Sequence, residues 1–447
     1  MMSDFKEYLL SDVINNVIDN RGKTPPNSDV RTEYELLEVN SLRGNTKNPN
    51  YELVKKYVSK DTYDSWFRKG HPQAGDVLIA TVGSIGEVAL SEGRGCIAQN
   101  IIALQTDERI LSNEYLYYLF TSNTMKNVFN ALNISSVQPS IKVPHLLAQT
   151  VKLPSVFVQE QIVQILRALD NKIANNTAMN QTLEKIAQRI FKSWFIDFDP
   201  VKANKEGVAF DGLSPEIQAL FPSEFEESEL GMIPKGWEVT TVKQLQNKLS
   251  KGTTPRKKDV ETAQDTPNIP FIKVRNINDS GLIGNDLECI ANSIHTTVLK
   301  RSVLESDDLL FTIAGTIGRV AIVPERLNNS NCNQAVCFIR LKDKLNYNSY
   351  LYLHLKSKRI QDQISSKVVQ AVQANASLQN INDINFPLPP DDLMSSWNRV
   401  TLPIFGRLKE IEKQNITLIG IRDRLLPKLI SGQITVGEAQ KELAEAI

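Results

Sequence analysis

The length and composition limit the possible folds and functions. A chain of 447 residues is about three times the length of a typical domain, so we expect at least two folded units. Lysine plus arginine number 51, as do aspartate plus glutamate, so net charge gives no argument for nucleic-acid binding and any DNA contact must come from local patches. Hydrophobic residues at 41% and charged residues at 23% are typical of a globular protein and exclude long disordered stretches.

Cysteine usage and hydropathy predict the compartment. The four cysteines form no Cys-x-x-Cys pair and have no histidine close by, so they indicate neither a zinc site nor a disulfide framework. The sequence has no apolar run of about eighteen residues, and its first residues lack the apolar core of a signal peptide. We therefore expect a cytoplasmic protein that makes no membrane contact.

The sequence contains two copies of one pattern. Short segments recur in the same order, and the offset between the copies grows only from 230 to 238 residues. Two diverged copies of one fold keep this order while loops absorb insertions, whereas a chance resemblance would not stay collinear. The recurring segments are RGKTP at 21–25 with KGTTP at 251–255, GSIG at 83–86 with GTIG at 315–318, and EYLY at 114–117 with SYLY at 349–352.

Each copy is predicted to form an α/β domain followed by a long helix. Apolar strands flank each glycine turn, amphipathic tyrosine-rich helices come next, and prolines mark the exit from the domain. The predicted strands are 77–80, 87–90, 309–312 and 319–322, the tyrosine-rich helices lie near 113–130 and 348–368, and the prolines are Pro154, Pro387, Pro389 and Pro390.

The helix after each domain carries a heptad pattern, with apolar residues alternating at spacings typical of a coiled-coil seam. We predict that the two helices pair antiparallel within the chain and that buried asparagines fix the register. The alternative is that each helix packs only on its own domain, which usually gives a wider apolar stripe. The seam residues are Ile162, Leu166, Leu169, Ile173, Asn176, Asn180 and Leu183 in the first helix, and Ile404, Leu408, Ile411, Asn415, Leu418 and Leu425 in the second.

The predicted fold class is α+β, with two pseudo-repeated α/β domains held apart by an antiparallel coiled coil of two long helices. A helix of about 36 residues would span roughly 55 Å and act as the spacer. The predicted boundaries are 1–157 for the first α/β domain, 158–198 for the first helix, 199–235 for a polar linker, 236–390 for the second α/β domain, 391–431 for the second helix and 432–447 for a C-terminal tail.

Motifs that would carry catalysis or bind a metal are missing from the sequence. The tripeptide at 22–24 is not a phosphate-binding loop, because Val17 stands where that motif needs a glycine. The four histidines have neither metal-ligand spacing nor triad spacing. Neither Pro-Pro pair has the neighbours that an amino-methyltransferase motif needs. We predict a non-catalytic chain without a metal site.

Polar residues in corresponding loops of the two copies are the candidates for DNA contact. Lysine and arginine bind phosphates or guanine edges, and glutamine amides read adenine. Each candidate also has an ordinary alternative as a solvated loop residue. The candidates are Arg21, Lys23, Arg43, Lys47, Ser84, Gln99, Gln138 and Lys142 in the first copy, and Lys251, Thr253, Arg256, Lys257, Lys258, Lys273, Arg275, Thr316, Arg319 and Gln334 in the second.

Three stretches give the sequence a family resemblance. The stretch that leads from SVQPSI at 136–141 to QEQI at 159–162, together with FKSWFIDFDP at 191–200 and SELGMIPKGW at 228–237, resembles the DNA-specificity subunit of Type I restriction-modification systems. The resemblance covers essentially the whole chain, and that family's two target-recognition domains alternating with two long helices match the repeat. The second copy departs at 391–394, where DDLM replaces the glutamine-rich helix start and leaves its partner contacts open.

The resemblance implies a division of labour between subunits. Each target-recognition domain would read one half of a split, asymmetric target in double-stranded DNA, and the coiled coil would set the gap between the halves. Modification subunits would dock on the helices, bind S-adenosylmethionine and flip the target adenine for methylation. A restriction subunit would add translocation and cleavage with ATP and Mg²⁺, while this chain would bind no cofactor.

Two alternative functions come from other classes. One is a self-contained DNA methyltransferase or nuclease with duplicated recognition domains, which requires the catalytic motifs that the sequence lacks. The other is a coiled-coil protein scaffold without DNA contact. This second alternative predicts that the assembled complex prefers no DNA sequence.

Overall fold

The computed structural model describes residues 5–44, 47–134, 138–369 and 375–446. The chain divides into two compact units. Unit 1 comprises residues 1–175 and 415–447, and unit 2 comprises residues 176–414. The division falls inside the two long helices, so each unit takes one α/β domain together with a part of both helices.

The elements up to the first long helix alternate strands with short helices. The strands are β1 (Lys6–Leu9), β2 (Ile14–Ile18), β3 (Leu36–Leu37), β4 (Ala74–Ala80), β5 (Val88–Glu92), β6 (Cys96–Ile97), β7 (Ile101–Thr106) and β8 (Thr150–Leu153). The helices are α1 (Leu10–Val13), α2 (Val39–Leu42), α3 (Lys60–Trp66), α4 (Asn113–Thr121), α5 (Asn123–Ala131), α6 (Val143–Leu147) and the long α7 (Val156–Phe191), which a π turn at Lys192–Ile196 extends.

The rest of the chain repeats this plan. The strands are β9 (Phe225–Ser228), β10 (Gly231–Pro234), β11 (Glu238–Thr241), β12 (Gln246–Lys251), β13 (Ile269–Ile272), β14 (Glu288–Ile290), β15 (Leu309–Thr312), β16 (Val320–Ile322), β17 (Asn331–Cys332), β18 (Val336–Leu341) and β19 (Asn385–Leu388). The helices are α8 (Asp199–Glu206), α9 (Pro215–Gln218), α10 (Val242–Leu245), α11 (Lys257–Thr262), α12 (Asn292–Thr296), α13 (Lys344–Lys356), α14 (Lys358–Val369), α15 (Leu378–Asn382), the long α16 (Asp391–Ile430) and α17 (Val436–Ala446).

The two α/β domains have the same sheet topology. An antiparallel four-stranded sheet runs β2-β7-β4-β5 in the first domain and β12-β18-β15-β16 in the second. Each domain also pairs two short strands in parallel, β3 with β6 and β13 with β17, and the second domain adds β14 beside β13. The strand, glycine turn and strand predicted in each copy are confirmed. Antiparallel pairing explains why a tight glycine turn joins the two strands.

Each tyrosine-rich helix is broken where the sequence predicted one segment. Ser122 and Ser357 have extended backbones, with ψ of 148° and 145°, and separate α4 from α5 and α13 from α14. The Ser122 hydroxyl accepts a hydrogen bond from the Met125 amide, so the residue that ends one helix caps the next. The break lets both short helices turn aromatic side chains toward the sheet, where Tyr115, Phe120 and Phe129 are buried.

The two long helices pair antiparallel within each unit, as predicted. In unit 1 the start of α7 shares a hydrophobic core with the end of α16, which brings together Ile162, Leu166 and Leu169 with Leu418, Leu425 and Leu429. In unit 2 the end of α7 meets the start of α16, where the rings of Phe191 and Phe195 lie 5.8 and 5.1 Å from that of Trp397. The apolar stripe is wider than a two-in-seven seam, because Val163 and Ile165 are buried as well. The helices therefore pack on the α/β domains in addition to pairing with each other.

Two segments have more structure than their sequence suggested. The predicted linker at 199–235 forms α8, α9 and the β9–β10 hairpin, and Phe221 and Ile233 anchor it in the core of unit 2. The predicted tail forms α17, whose Ala439 is buried in the core of unit 1. Polar composition obscured both segments, because their apolar residues are scattered among polar ones and become buried only against an existing core. No helix in the described ranges is long and apolar enough to cross a membrane.

Candidate nucleic-acid interface

A cleft of about 660 Å³ opens in the first α/β domain and collects most of the predicted contact residues of that copy. Its walls are the loop after β2, the carboxyl ends of the parallel strands β3 and β6, the glycine turn, and the segment at 138–140. Cationic and amide side chains therefore line one cavity together with small residues, which let a ligand approach the backbone closely. The lining includes Arg21, Gly22, Thr24, Glu38, Arg43, Lys56, Gly83, Ser84, Gln99, Asn100 and Gln138.

The glycine turn fixes the relative positions of three candidates. The Gly83 amide donates to the Pro139 carbonyl at 2.8 Å, which brings Gln138 next to the turn. Gly83 has a φ of 83°, a left-handed backbone that side chains disfavour and glycine adopts readily. The Arg43 guanidinium donates to the Ser84 hydroxyl. Ser136, the first residue of the stretch that carries the family resemblance, lies outside the described residues.

Arg21 is held in place by its neighbour Asp19. Arg21 Nε and Nη2 donate to the two Asp19 carboxylate oxygens at 2.7 and 2.6 Å. Burial disfavours the charged Asp19, but the hydrogen bonds from Arg21 outweigh it and lower the pKa of the carboxyl below its usual value. A bidentate pair of this kind orients the planar guanidinium before any ligand arrives.

A second groove of about 570 Å³ adjoins the first and contains Lys23. Its lining also includes Arg21, the half-exposed Trp66, Arg68 and Lys69. Sequence reasoning missed the last three residues. The run WFRKG at 66–70 was the available signal, because an aromatic ring beside adjacent cations is typical of nucleic-acid surfaces.

Two candidates of the first copy lie elsewhere. The Lys47 ammonium is 3.0 Å from Glu114, a carboxylate that also accepts from Arg167, so Lys47 joins α4 rather than the cleft. Lys142 is exposed in front of α6 and lines neither of the two cavities just described. Whether either lysine touches DNA stays a prediction.

The second domain brings its own candidates to the corresponding loops. The Gly252 amide donates to the Val336 carbonyl at 3.0 Å, and the Thr253 amide donates to the Cys332 carbonyl at 3.2 Å. The Thr254 hydroxyl donates to the Gln334 side chain. The loop at 251–254 is therefore held against the segment that carries Gln334.

The other cations of the second copy are mostly paired with carboxylates. Lys273 and Arg275 both donate to Glu288, at 2.6 and 2.7 Å, and the bond from Lys273 lowers the pKa of that carboxyl. Arg319, beside Thr316 in the glycine turn, donates to Asp279 at 2.6 Å. At the start of α11, Arg256 pairs with Asp259 and the exposed Lys257 pairs with Glu261 at 3.6 Å, while Lys258 is exposed. DNA would have to compete with these carboxylates for the paired cations.

The structure brings no cluster of potential metal ligands together in its described part. There, no group of three or more histidine, cysteine, aspartate or glutamate side chains is placed to hold an ion. The residues that line the cleft offer ionic and hydrogen-bonding contacts, with guanidinium and ammonium donors for phosphates and amides for base edges.

Comparison with known proteins places the chain in a family. The sequence model described as Type I restriction modification DNA specificity domain matches residues 2–185 and again residues 234–415, so it covers both α/β domains and the larger part of the long helix after each. The chain belongs to this family. As a member, it is a specificity subunit of a Type I restriction-modification system, and its repeat is the family's own duplicated domain.

Two curated specificity subunits and one solved structure resemble this specificity subunit. It is 28% identical over 367 residues to the Type I restriction enzyme MjaIX specificity subunit of Methanocaldococcus jannaschii, covering 81% of this chain and 78% of that one. It is 25% identical over 501 residues to the HindI specificity subunit of Haemophilus influenzae, covering 97% and 100%. The crystal structure of the S subunit from M. genitalium, at 15% identity, covers 96% of both chains with a TM-score of 0.53 and shares the fold. Both curated relatives are named as specificity subunits.

Proposed function

We propose that each α/β domain of this specificity subunit reads one half of a bipartite target in double-stranded DNA. The observation that carries the proposal is that both domains present the same loops from the same sheet topology, and that in the first domain these loops line a cleft of cations and amides. Guanidinium and ammonium groups fix a duplex through its phosphates, and amides distinguish bases by their edges.

The two halves of the target differ in sequence. Equivalent loop positions carry different side chains, for example arginine at position 21 and lysine at position 251, or serine at position 84 and threonine at position 316. Readers of one fold with different side chains select different base pairs. The antiparallel helix pair sets the distance between the two halves and so fixes the length of the unread gap.

The catalytic steps belong to partner subunits. Modification subunits dock on α7 and α16, bind S-adenosylmethionine and flip the target adenine, and a restriction subunit adds ATP- and Mg²⁺-dependent translocation and cleavage. This chain contributes sequence choice and a scaffold, is non-catalytic and binds no cofactor. The DNA that it reads is chromosomal and incoming DNA, so it works in the cytoplasm.

Mapping methylated adenines tests the proposal directly. The chain is coexpressed with its modification subunits in a bacterial host without adenine methylation, and methylated positions are mapped at single-base resolution. We expect one asymmetric motif with two halves and a fixed gap. Replacing residues 1–157 by the corresponding domain of another family member changes one half only, and replacing 236–390 changes the other.

Three outcomes would contradict the proposal. Methylation by the purified chain with S-adenosylmethionine alone would make it an enzyme. A complex that methylates without sequence preference would favour a scaffold without DNA recognition. A domain replacement that changes both halves at once would rule out one reader per half.

A further inference from the structure

The two α/β domains hold an ion pair at the same place in the fold with the charges exchanged. In the first domain Glu38 follows strand β3, and its carboxylate is 2.9 Å from the Lys56 ammonium. In the second domain Lys273 follows strand β13, and its ammonium is 2.6 Å from the Glu288 carboxylate. The acid of one reader therefore stands where the other reader has a base.

Backbone contacts establish that these positions correspond. The Ala98 amide donates to the Leu37 carbonyl at 2.9 Å, and the Asn333 amide donates to the Ile272 carbonyl at 3.0 Å. In each domain the residue just before the charged side chain is hydrogen-bonded to the first residue after the neighbouring parallel strand, which is β6 in the first domain and β17 in the second. On the opposite side, the Leu36 amide donates to the Lys56 carbonyl, and Phe271 pairs with Glu288. Glu38 thus corresponds to Lys273, and Lys56 corresponds to Glu288.

A carboxylate is an unexpected group in a cleft that receives DNA. Glu38 and Lys56 line the same cavity as Arg21, Arg43 and Gln99. A carboxylate there is repelled by phosphates, and it gains a favourable contact only where a hydrogen-bond donor faces it. In the major groove the donors on base edges are exocyclic amines, and cytosine N4 is the usual partner of a carboxylate. A lysine at the same position has the opposite preference, because its ammonium donates hydrogen bonds to the O6 and N7 acceptors of guanine.

The exposure of the pairs suits exchange with DNA. The four side chains are between 31% and 51% exposed, and ion pairs at such accessible sites are weak. Each partner can therefore orient the ionised group in the absence of DNA and release it to a base edge. A fully buried pair would be held too firmly for this role.

We propose that Glu38 and Lys273 are specificity-determining residues with opposite preferences. Glu38 accepts a hydrogen bond from an exocyclic amine, that of cytosine, in the half-site of the first domain. Lys273 donates to the O6 and N7 atoms of guanine in the half-site of the second domain. Lys56 and Glu288 position these two side chains. The inference rests on the proposed function, because it assigns roles inside the two readers.

Charge exchange within each pair tests the inference while keeping an ion pair in place. The variants are Glu38→Lys with Lys56→Glu in one chain, and Lys273→Glu with Glu288→Lys in another. Each is assembled with the modification subunits, and methylated adenines are mapped in a host without adenine methylation. The matched control exchanges Glu7 and Lys152, an exposed pair between β1 and β8 whose atoms are 3.3 Å apart outside the cleft.

We expect each exchange to change one base pair of one half-site. Glu38→Lys with Lys56→Glu shifts the preference from cytosine to guanine on that strand by on the order of tenfold, and the exchange in the second domain shifts it from guanine to cytosine. If the wild-type base at this position is adenine instead of cytosine, Glu38 accepts from the exocyclic amine of adenine. A loss of that preference in the exchange variant also supports the inference. The control retains the wild-type motif.

An unchanged motif at full methylation in both variants would overturn the inference. If an exchange variant has the wild-type unfolding temperature but methylates nothing, Glu38→Met decides for the first domain and Lys273→Met for the second, since methionine removes the hydrogen-bonding group and keeps a side chain of similar length. Relaxed preference at one base pair then supports the inference, and an unchanged motif overturns it. Absence of any bipartite motif for the wild-type complex would instead refute the proposed function.

Discussion

Asp170 on α7 and Arg422 on α16 form an ion pair, with the carboxylate Oδ1 3.0 Å from the guanidinium Nη1. The hydroxyl of Tyr118 donates to the other carboxylate oxygen at 2.7 Å. Burial and the adjacent Asp170 charge raise the pKa of Tyr118 far above its ordinary value, so the hydroxyl keeps its proton and its hydrogen bond. One carboxylate thus links both long helices of unit 1 to the tyrosine-rich helix α4.

Removing the arginine should weaken unit 1. The side chains of Asp170 and Arg422 are only 17% and 19% exposed, so Arg422→Met leaves a poorly solvated carboxylate without its cation. We expect the free energy of opening to fall by about 2 kcal/mol. Hydrogen exchange at the backbone amides of α4 measures this free energy of opening. Lys60→Met, which removes an exposed pair on α3, should leave that exchange unchanged, and an equal effect of both variants would contradict this prediction.

Acid should destabilise unit 2 through His354. This side chain is fully buried among the rings of Phe191, Tyr350 and Phe386, at 4.7, 4.6 and 4.8 Å, and neither ring nitrogen has a hydrogen-bond partner in the described part of the chain. Burial, assisted by the positive charge of Arg359, lowers the pKa of His354 well below its usual value.

The sign of the pH dependence follows from proton uptake. Below a pH of about 6.5 the unfolded chain binds a proton at this histidine and the folded chain does not, so stability falls as the pH decreases, by up to about 1.4 kcal/mol per pH unit. His354→Leu should remove this slope, whereas His145→Leu, at an exposed site, should keep it. Urea unfolding between pH 7 and pH 5 measures both, and equal slopes for the two variants would be evidence against the prediction.

Two glycines should respond oppositely to alanine. A Cβ atom at Gly252 would overlap the carbonyl oxygens of Cys332 and Asn333, so Gly252→Ala forces the chain after β12 away from the end of β17. We expect a loss of about 3 kcal/mol in unfolding free energy and weaker selection at one half-site. At Gly406, on an open face of α16, alanine meets no atom within 4 Å and should stabilise the helix by about 0.5 to 1 kcal/mol. Thermal unfolding distinguishes the two, and a tolerated Gly252→Ala would be inconsistent with this packing.

Arg43 and Lys47 should differ although both were predicted to contact DNA. Arg43 lines the cleft, whereas Lys47 is engaged with Glu114. Arg43→Ala should weaken DNA binding by the assembled complex about tenfold and reduce the salt dependence by about one counterion. Lys47→Ala should leave affinity and salt dependence unchanged. Titration of the target duplex at several salt concentrations measures both quantities, and equal losses would argue against the cleft as the interface.

The sequence predicted the repeat because its signals are local. The glycine turns at 83–86 and 315–318 lie between apolar strands in both copies, and the heptad spacing marks both long helices. The ion pairs that hold the site could not be predicted. Glu38 meets Lys56, and Lys273 meets Glu288, only because β-pairing brings separate loops together, and neither loop carries a pattern that names its partner. The folded linker escaped detection because its core residues, among them Val201, Phe221 and Ile233, are widely separated in a polar stretch and form no helix or strand period.

Unit 1 is built from two separate stretches of the chain, and this has a consequence for synthesis. Unit 2 is contiguous, so it can fold as soon as residue 414 has left the ribosome. Unit 1 needs the end of α16 to complete the core around Ile162, Leu166 and Leu169, and until it arrives the part of this apolar stripe that faces α16 stays uncovered. A truncated chain that ends after α7 would therefore be prone to aggregate, because this apolar surface would stay exposed. The domain that is translated first is completed last.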